Sequence, residues 1–278
     1  MNPSVSISLV TCSYQQGAFI EATMRSVLDQ HYPALEYMVI DGSSSDGTVD
    51  IIRRYADRLS YWVSEPDRGQ SDALIKGFAR AHGEIQGWLC SDDLLLPGAL
   101  ESVGRYFATH PEVEAVYGDA LWIDAAGNHL RTKKESGFHR LAFMFDHNYI
   151  PQPSMFWRRS LYEKVGGLDP EFHLAMDFDL WERFSQVTRI AHIPRYLSCM
   201  RFYPEQKTRA LKPQGRVEDA LIRGRSRLAR WPVPVLWRGL ARSQRIATKA
   251  LAGGYAATAS ADVIEALARY RIPAHRAE

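Results

Sequence analysis

A chain of 278 residues is long enough for one large α/β domain or a domain with an appendage, and at 46% hydrophobic and 24% charged it has an ordinary globular composition. Its formal net charge of +2 excludes a general electrostatic affinity for nucleic acid, and no apolar run approaches the ~20 residues that a membrane-spanning helix needs. Cys12, Cys90 and Cys199 lack Cys-x-x-Cys spacing, which argues against a disulfide framework or zinc site. Met1-Asn2-Pro3-Ser4 has neither the basic nor the apolar part of a signal peptide, so a reducing cytoplasm is expected.

Val5 to Val10 alternates polar and apolar residues and predicts a first strand, broken at Thr11-Cys12-Ser13-Tyr14. Phe19, Ile20, Met24, Val27 and Leu28 recur at helical spacing over residues 18 to 30. Glu36 to Ile40 reads as a second strand, followed by Asp41-Gly42-Ser43-Ser44-Ser45-Asp46-Gly47-Thr48 and a helix with Val49, Ile51, Ile52 and Tyr55 on one side. A third strand is expected over Leu59–Ser64, a helix over Asp72–Ala81 and a fourth strand over Gln86–Cys90. Four strand–loop–helix units in about 100 residues imply right-handed crossovers and a mostly parallel, Rossmann-like sheet flanked by helices. Beyond them come a helix over Gly98–Thr109, a strand over Ala115–Ile123, a turn at Asp124–Asn128 into a short returning strand, and a helix over Asp177–Phe184.

The chemistry concentrates at Trp88-Leu89-Cys90-Ser91-Asp92-Asp93, where an apolar run ends in two adjacent carboxylates. In open α/β sheets ligands bind at the carboxyl ends of the strands, and two like charges side by side call for a cation. Alternation along a strand points the two acids to opposite faces and gives them different tasks. A plain turn, with Asp93 capping the helix near Pro97, is the structural alternative. Asp41 closes strand two, where a carboxylate can accept hydrogen bonds from a base or ribose, with Thr11 and Tyr14 beside it. The chain has no Gly-x-Gly-x-x-Gly after strand one, no P-loop, no Gly-x-Ser-x-Gly elbow and no His-Glu-x-x-His.

Taken in order, Thr11-Cys-Ser-Tyr14, Asp41-Gly-Ser-Ser-Ser-Asp-Gly-Thr48, Ser64-Glu-Pro-Asp-Arg-Gly-Gln70, Trp88-x-x-Ser-Asp-Asp93, Gly166-Gly-Leu-Asp169 and Ala175-Met-Asp-Phe-Asp-Leu-Trp181 resemble the inverting family 2 glycosyltransferases of GT-A fold. The resemblance covers residues 5 to 208. It implies a nucleotide-sugar donor, a saccharide or lipid-linked saccharide acceptor, and a divalent cation, Mg²⁺ or Mn²⁺. Asp41 would read the base, bordered by Thr11 and Tyr14; Asp93 would hold the cation, and Asp92 the ribose or cation. Asp177, at the start of its helix, would be the general base for the acceptor hydroxyl, with Asp179 the alternative. Arg68 and Asp72, with Asp67 and Gln70, would border the donor pocket, and Gln152 the acceptor side. Where relatives carry Arg-x-His-Pro, this chain has Arg201-Phe202-Tyr203-Pro204. Tyr203 would replace a metal or diphosphate contact by a hydroxyl hydrogen bond, with Arg201 and Lys207 as diphosphate partners. A metal-dependent nucleotidyltransferase and a non-catalytic sugar-nucleotide binder are the competing functions. The first normally shows a glycine-rich basic loop after strand one, which Thr11 to Gly17 lacks.

From Lys207 to Lys249 the chain is strongly basic, and Trp231-Pro-Val-Pro-Val-Leu-Trp237 lies within this run. Aromatic residues among basic ones suit an anionic membrane surface; packing on the catalytic body or on a second subunit of a homo-oligomer suits them equally. The expected organisation is a catalytic domain over 1–208, with a nucleotide-sugar half (1–110) and an acceptor half (111–208), and a basic helical C-terminal appendage over 209–278.

Overall fold

A computed structural model describes residues 5–232 and 234–272. The reading of Met1–Ser4, Val233 within the tryptophan segment, and residues 273–278 of the appendage lie outside the described residues.

The expected alternation is present. In chain order the first half contains β1 (Ile7–Ser13), α1 (Ile20–Leu28), β2 (Leu35–Asp41), α2 (Thr48–Arg54), β3 (Tyr61–Ser64), α3 (Gln70–Phe78), β4 (Ile85–Trp88), a two-residue β5 (Leu94–Leu95) and α4 (Ala99–Thr109). The second half contains β6 (Ala115–Ile123), β7 (His129–Lys133), α5 (Arg140–Phe145), β8 (Met155–Arg158), α6 (Arg159–Lys164), α7 (Met176–Val187) and β9 (Ile190–Arg201). The helices α8 (Lys207–Ala210), α9 (Lys212–Arg225), α10 (Pro234–Leu251) and α11 (Ala261–Leu267) follow.

One sheet runs through the molecule in the order β3-β2-β1-β4-β8-β6-β9-β5, with β7 against the outer part of β6. The first four strands are parallel, as right-handed crossovers require. The antiparallel β8 then joins β4 to β6, and β9 runs parallel to β6. Order 3-2-1-4 reverses direction beside β1, so a crevice opens outside the carboxyl ends of β1 and β4, where this architecture binds its ligands. β1 is buried along its whole length although its sequence alternates, because its polar side chains find partners: Ser8 donates to the Glu36 carboxylate and Thr11 meets the Tyr37 hydroxyl.

Close helix–sheet contact sets the walls of this crevice. A Cβ at Gly77 of α3 would stand 2.5 Å from Val10 Cγ1 and 3.3 Å from Ile40 Cγ1, so only glycine lets α3 lie this near β1 and β2. On the same face of the sheet, against Phe78 of α3, Trp88 of β4, Trp157 of β8 and Trp181 of α7 form one aromatic cluster. The Trp88 and Trp181 rings are stacked 5.2 Å apart, and Trp157 lies 5.5 and 5.3 Å from them.

The segment from residue 207 onward is not set apart in space from the rest. Arg225 of α9 pairs with Asp169 and Glu171, and Ser226 donates a hydrogen bond to buried Glu182 of α7. Arg245 and Lys249 of α10 pair with Asp146 and Glu135. Composition therefore marks where the basic run starts, while α9 itself continues the wall of the crevice.

Candidate active site

The fourth strand ends two residues earlier than its apolar run suggests, because β4 stops at Trp88 and residues 89–93 turn. Asp93 N–H closes that turn on Cys90 O, and the hydroxyl of Thr23 in α1 lies 2.8 Å from both Ser91 O and Asp93 O, pinning it from below. Strand alternation consequently does not apply to the acid pair. Instead of pointing apart, one oxygen of Asp92, one of Asp93 and Cys90 Sγ lie within 4.8 Å of one another. Asp93 does not cap the helix that follows: its Oδ1 accepts the Arg201 backbone N–H at 2.8 Å. Asp92 Oδ2 accepts the Tyr203 hydroxyl at 2.9 Å.

Burial, and then the charge of Asp92, push the Asp93 carboxyl well above its ordinary range, and burial also raises Asp92. A buried and a half-buried carboxylate facing each other suit a hard divalent cation, which would relieve both effects. The Cys90 thiol is soft and already engaged, with Gln70 Nε2 at 3.2 Å and Gln152 Oε1 at 3.5 Å, so it belongs to the wall. The residues present fit a hard divalent cation such as Mg²⁺ or Mn²⁺, which Asp92 and Asp93 would hold.

A cavity of about 1020 Å³ opens beside the pair, and Tyr14, Gln152, Asp177, Tyr203 and Lys207 line it together with Asp92 and Asp93. Asp177, half-buried at the start of α7, accepts Asn148 Nδ2 at 2.9 Å. Burial raises its carboxyl to about 6, and the nearby charge of Asp219 adds to the rise, against the lowering hydrogen bonds from Phe178 N–H and Asn148. Asp179, by contrast, is buried away from the cavity and paired with Arg183 at 2.6 Å. The structure thus separates the two carboxylates that the sequence leaves in competition.

Other expected residues stand apart from the cavity. Arg201 is fully buried. Its guanidinium donates to the carbonyls of Asp92, Asp124 and Ala125, so it holds the acid turn and cannot reach a diphosphate. Arg68 is exposed and pairs with Asp72 at 2.7 Å outside the cavity. Thr11 is buried against the Tyr37 hydroxyl at 3.0 Å. Asp41 is fully buried, and its carboxylate accepts Ser44 N–H, the Ser44 hydroxyl and the Ser64 hydroxyl, so it shapes the loop beneath the pocket. Asp67 lines the cavity instead. A Cβ at Gly42 would come within 2.7 Å of Asp67 Oδ2, so the glycine makes room for that side chain. Gln152 is tied to β4 by a 2.9 Å bond to Trp88 O, and Lys207 donates to His173 O at 2.6 Å.

Lys212, Arg216 and Asp219 also line the cavity and were not anticipated. Their spacing of four and three residues puts them on one face of α9, a signal legible in the sequence but hidden inside a run read as a basic appendage for a membrane surface or for packing.

The sequence profile described as glycosyl transferase family 2 matches residues 8–166, more than half of the chain. The chain belongs to glycosyl transferase family 2. Among curated relatives, the uncharacterized glycosyltransferase Rv1514c of Mycobacterium tuberculosis is 28% identical over 179 residues, covering 64% of this chain and 68% of that one. The O-antigen biosynthesis protein RfbC of Myxococcus xanthus is 30% identical over 202 residues, 67% of this glycosyltransferase but only 15% of RfbC. Among solved structures, S. aureus TarS superposes with a TM-score of 0.64 at 15% identity, over 88% of this chain and 43% of TarS. Its 1–349 portion, solved with UDP-GlcNAc, gives 0.61 at 14% identity, over 98% of this chain and 82% of that portion. The mannosyltransferase PcManGT of Pyrobaculum calidifontis, in complex with GDP-Man and Mn²⁺, gives 0.61 at 19% identity over 96% and 80% of the two chains. At these identities the superpositions establish a shared GT-A fold.

A carboxylate that served as general base would have to be deprotonated to act, so with Asp177 in that role turnover should fall as pH drops through about 6, the value to which Asp177 is raised. Asp219→Asn removes a negative neighbour and should move that acidic limb to lower pH. A pH–rate profile of the two proteins checks both the position and the direction.

Proposed function

We propose that this glycosyltransferase moves one monosaccharide from a nucleoside-diphosphate sugar to an acceptor hydroxyl with inversion at C1. The observation that carries the reading is the sharing of one cavity by the Asp92–Asp93 pair and by Asp177. The pair would hold a divalent cation, which supplies charge neutralisation at the donor diphosphate. Asp177, raised by burial, takes the proton of the attacking hydroxyl. An inverting displacement needs one such base and an in-line approach, not the two flanking carboxylates of a glycosidase. Tyr14 and Asp67 are suited to the nucleoside side of the cavity, and Tyr203 orients Asp92 where relatives have a histidine.

The acceptor class we propose is a polysaccharide or lipid-linked saccharide precursor of the cell surface, handled on the cytoplasmic side of the membrane. The likeness to RfbC, an O-antigen biosynthesis protein, supports this assignment. A thermal-shift screen of nucleotide sugars, including UDP-GlcNAc and GDP-Man, with and without Mn²⁺, tests the donor reading. Stabilisation by one of them that requires the cation is expected, and none by any would sink it.

Peripheral membrane contact belongs to the same proposal. Among the described residues no helix is long and apolar enough to cross a membrane. On α10, Val235, Leu236 and Leu240 are more than half exposed, and Arg238 and Arg242 are exposed within the same turns. Trp231 packs edge-on against Trp237 at 4.7 Å beside them. Each basic residue near an anionic surface contributes about 1 kcal/mol, screened by salt. Co-sedimentation with anionic but not neutral vesicles is expected, weakened by salt and by Trp231→Ala. No pelleting at low salt would leave α10 as a packing element only.

A further inference from the structure

The helix that carries Asp177 has no N-cap of its own. Ala175 occupies the N-cap position of α7 and makes no side-chain bond to the helix, because alanine has no acceptor. The N–H groups of the connection leading into the helix, up to the N-cap residue, are nevertheless not left to water. Glu218 of α9, 6% exposed, accepts the backbone N–H of Leu174 at 2.8 Å and of Ala175 at 2.9 Å, both on Oε2. It also accepts His173 N–H, 3.1 Å from Oε2 and 3.2 Å from Oε1. Three consecutive amides thus converge on one buried carboxylate supplied from forty-odd residues downstream. Charge-assisted bonds of this kind are stronger than neutral ones, and a negative group at a helix N-terminus is further favoured by the helix dipole.

Other contacts fix the same connection from the same side. Lys207 donates to His173 O, and Arg225 pairs with Asp169 and Glu171, so residues 169–175 are clamped at both ends by α8 and α9. The amide of Ala175 is two residues from Asp177. Movement of this connection therefore moves the carboxylate relative to the acid pair. A loop held only by solvent would let it wander.

We propose that Glu218 is a positioning residue for Asp177: a carboxylate from the C-terminal helix that gathers the amides leading into α7 and fixes where the base stands. The proposal rests on Asp177 being the base. It also makes the basic C-terminal segment a necessary part of the catalytic apparatus, a role that its composition conceals. Glu218 touches neither donor nor acceptor and acts only through α7, so its loss should alter turnover and leave donor binding in place.

The test uses the full chain with Glu218→Ala, Glu218→Gln, Asp177→Asn and the double variant Glu218→Ala/Asp177→Asn. Hydrogen exchange of the 173–175 amides, which needs no substrate, is read first. Protection should fall at least about tenfold in Glu218→Ala and less in Glu218→Gln, which keeps one acceptor oxygen and the shape. Unchanged protection in both overturns the clamp. Turnover is then read as nucleoside diphosphate release from UDP-GlcNAc or GDP-Man. Glu218→Ala should lose about 10- to 100-fold in kcat, the scale of a misplacement of about 1 Å, with donor KM within twofold and partial recovery in Glu218→Gln. In the Asp177→Asn background the same change should add almost nothing, because the positioned group is already gone. Multiplying losses in the double variant, or a rise in donor KM that matches the fall in kcat, would make Glu218 a structural residue only and overturn the proposal. Full turnover in Asp177→Asn alone is a different failure, that of the base assignment itself.

Discussion

Asp177→Asn should bind the donor as the parent does and lose at least ~100-fold in turnover. The amide keeps the shape and can still accept the Asn148 hydrogen bond through its oxygen, so the fold around α7 is retained. What it cannot do is take a proton from an attacking hydroxyl. Asp179→Asn provides the contrast. That carboxylate is buried and paired with Arg183, so its replacement should lower stability through a broken ion pair and leave the catalytic step near the parental rate once folded. Steady-state kinetics with donor binding measured in parallel separates the two variants. Loss of turnover in Asp179→Asn with full turnover in Asp177→Asn would transfer the role half a helical turn along α7.

Asp93→Asn should abolish the dependence of donor binding on a divalent cation and reduce transfer by ~100-fold or more, since a cation at a departing diphosphate supplies several kcal/mol of stabilisation. Asp93 is the more telling of the pair. Its Oδ1 holds the Arg201 backbone, and an amide oxygen keeps that contact, whereas the charge that a cation needs disappears. Removal of cations with a chelator should give the parent the donor affinity of the variant, and calorimetric titration of donor with and without Mn²⁺ reads the comparison. A variant that retains cation-dependent binding would take Asp93 out of the metal site.

Much of this architecture is legible in the sequence. Alternating strand and helix patterns locate the first four parallel strands, because burial on one or both faces writes itself into local hydrophobic spacing. The acid pair and Asp177 can be named for the same reason: they sit in short motifs with characteristic neighbours. The failures are of long range. That Arg201 is buried against the carbonyls of Asp92, Asp124 and Ala125 depends on β9 returning beside β6 and β5, a pairing that no local pattern encodes. Asp41 has the same local signature whether it faces a base or, as here, the Ser44 and Ser64 hydroxyls. The choice between Asp177 and Asp179 turns on Arg183 and Asn148, contacts that the helical spacing alone does not rank. Glu218 is hidden most completely, since one of two adjacent acids in a basic run gives no hint of the three amides that it meets.

The tryptophan cluster bears on how such a molecule can be divided. Trp88 lies four residues before Asp92, and Trp181 lies one helical turn after Asp177, so their stacked rings are a gauge block between the acid pair and Asp177. Trp157 belongs to the strand that joins β4 to β6, and it wedges against both. Residues 1–110 and 111–208 consequently share one interior, and a fragment ending at 110 would leave the indole of Trp88 bare to water. Exchange of donor halves between relatives would have to carry all three indoles, or compensating shapes, across the cut.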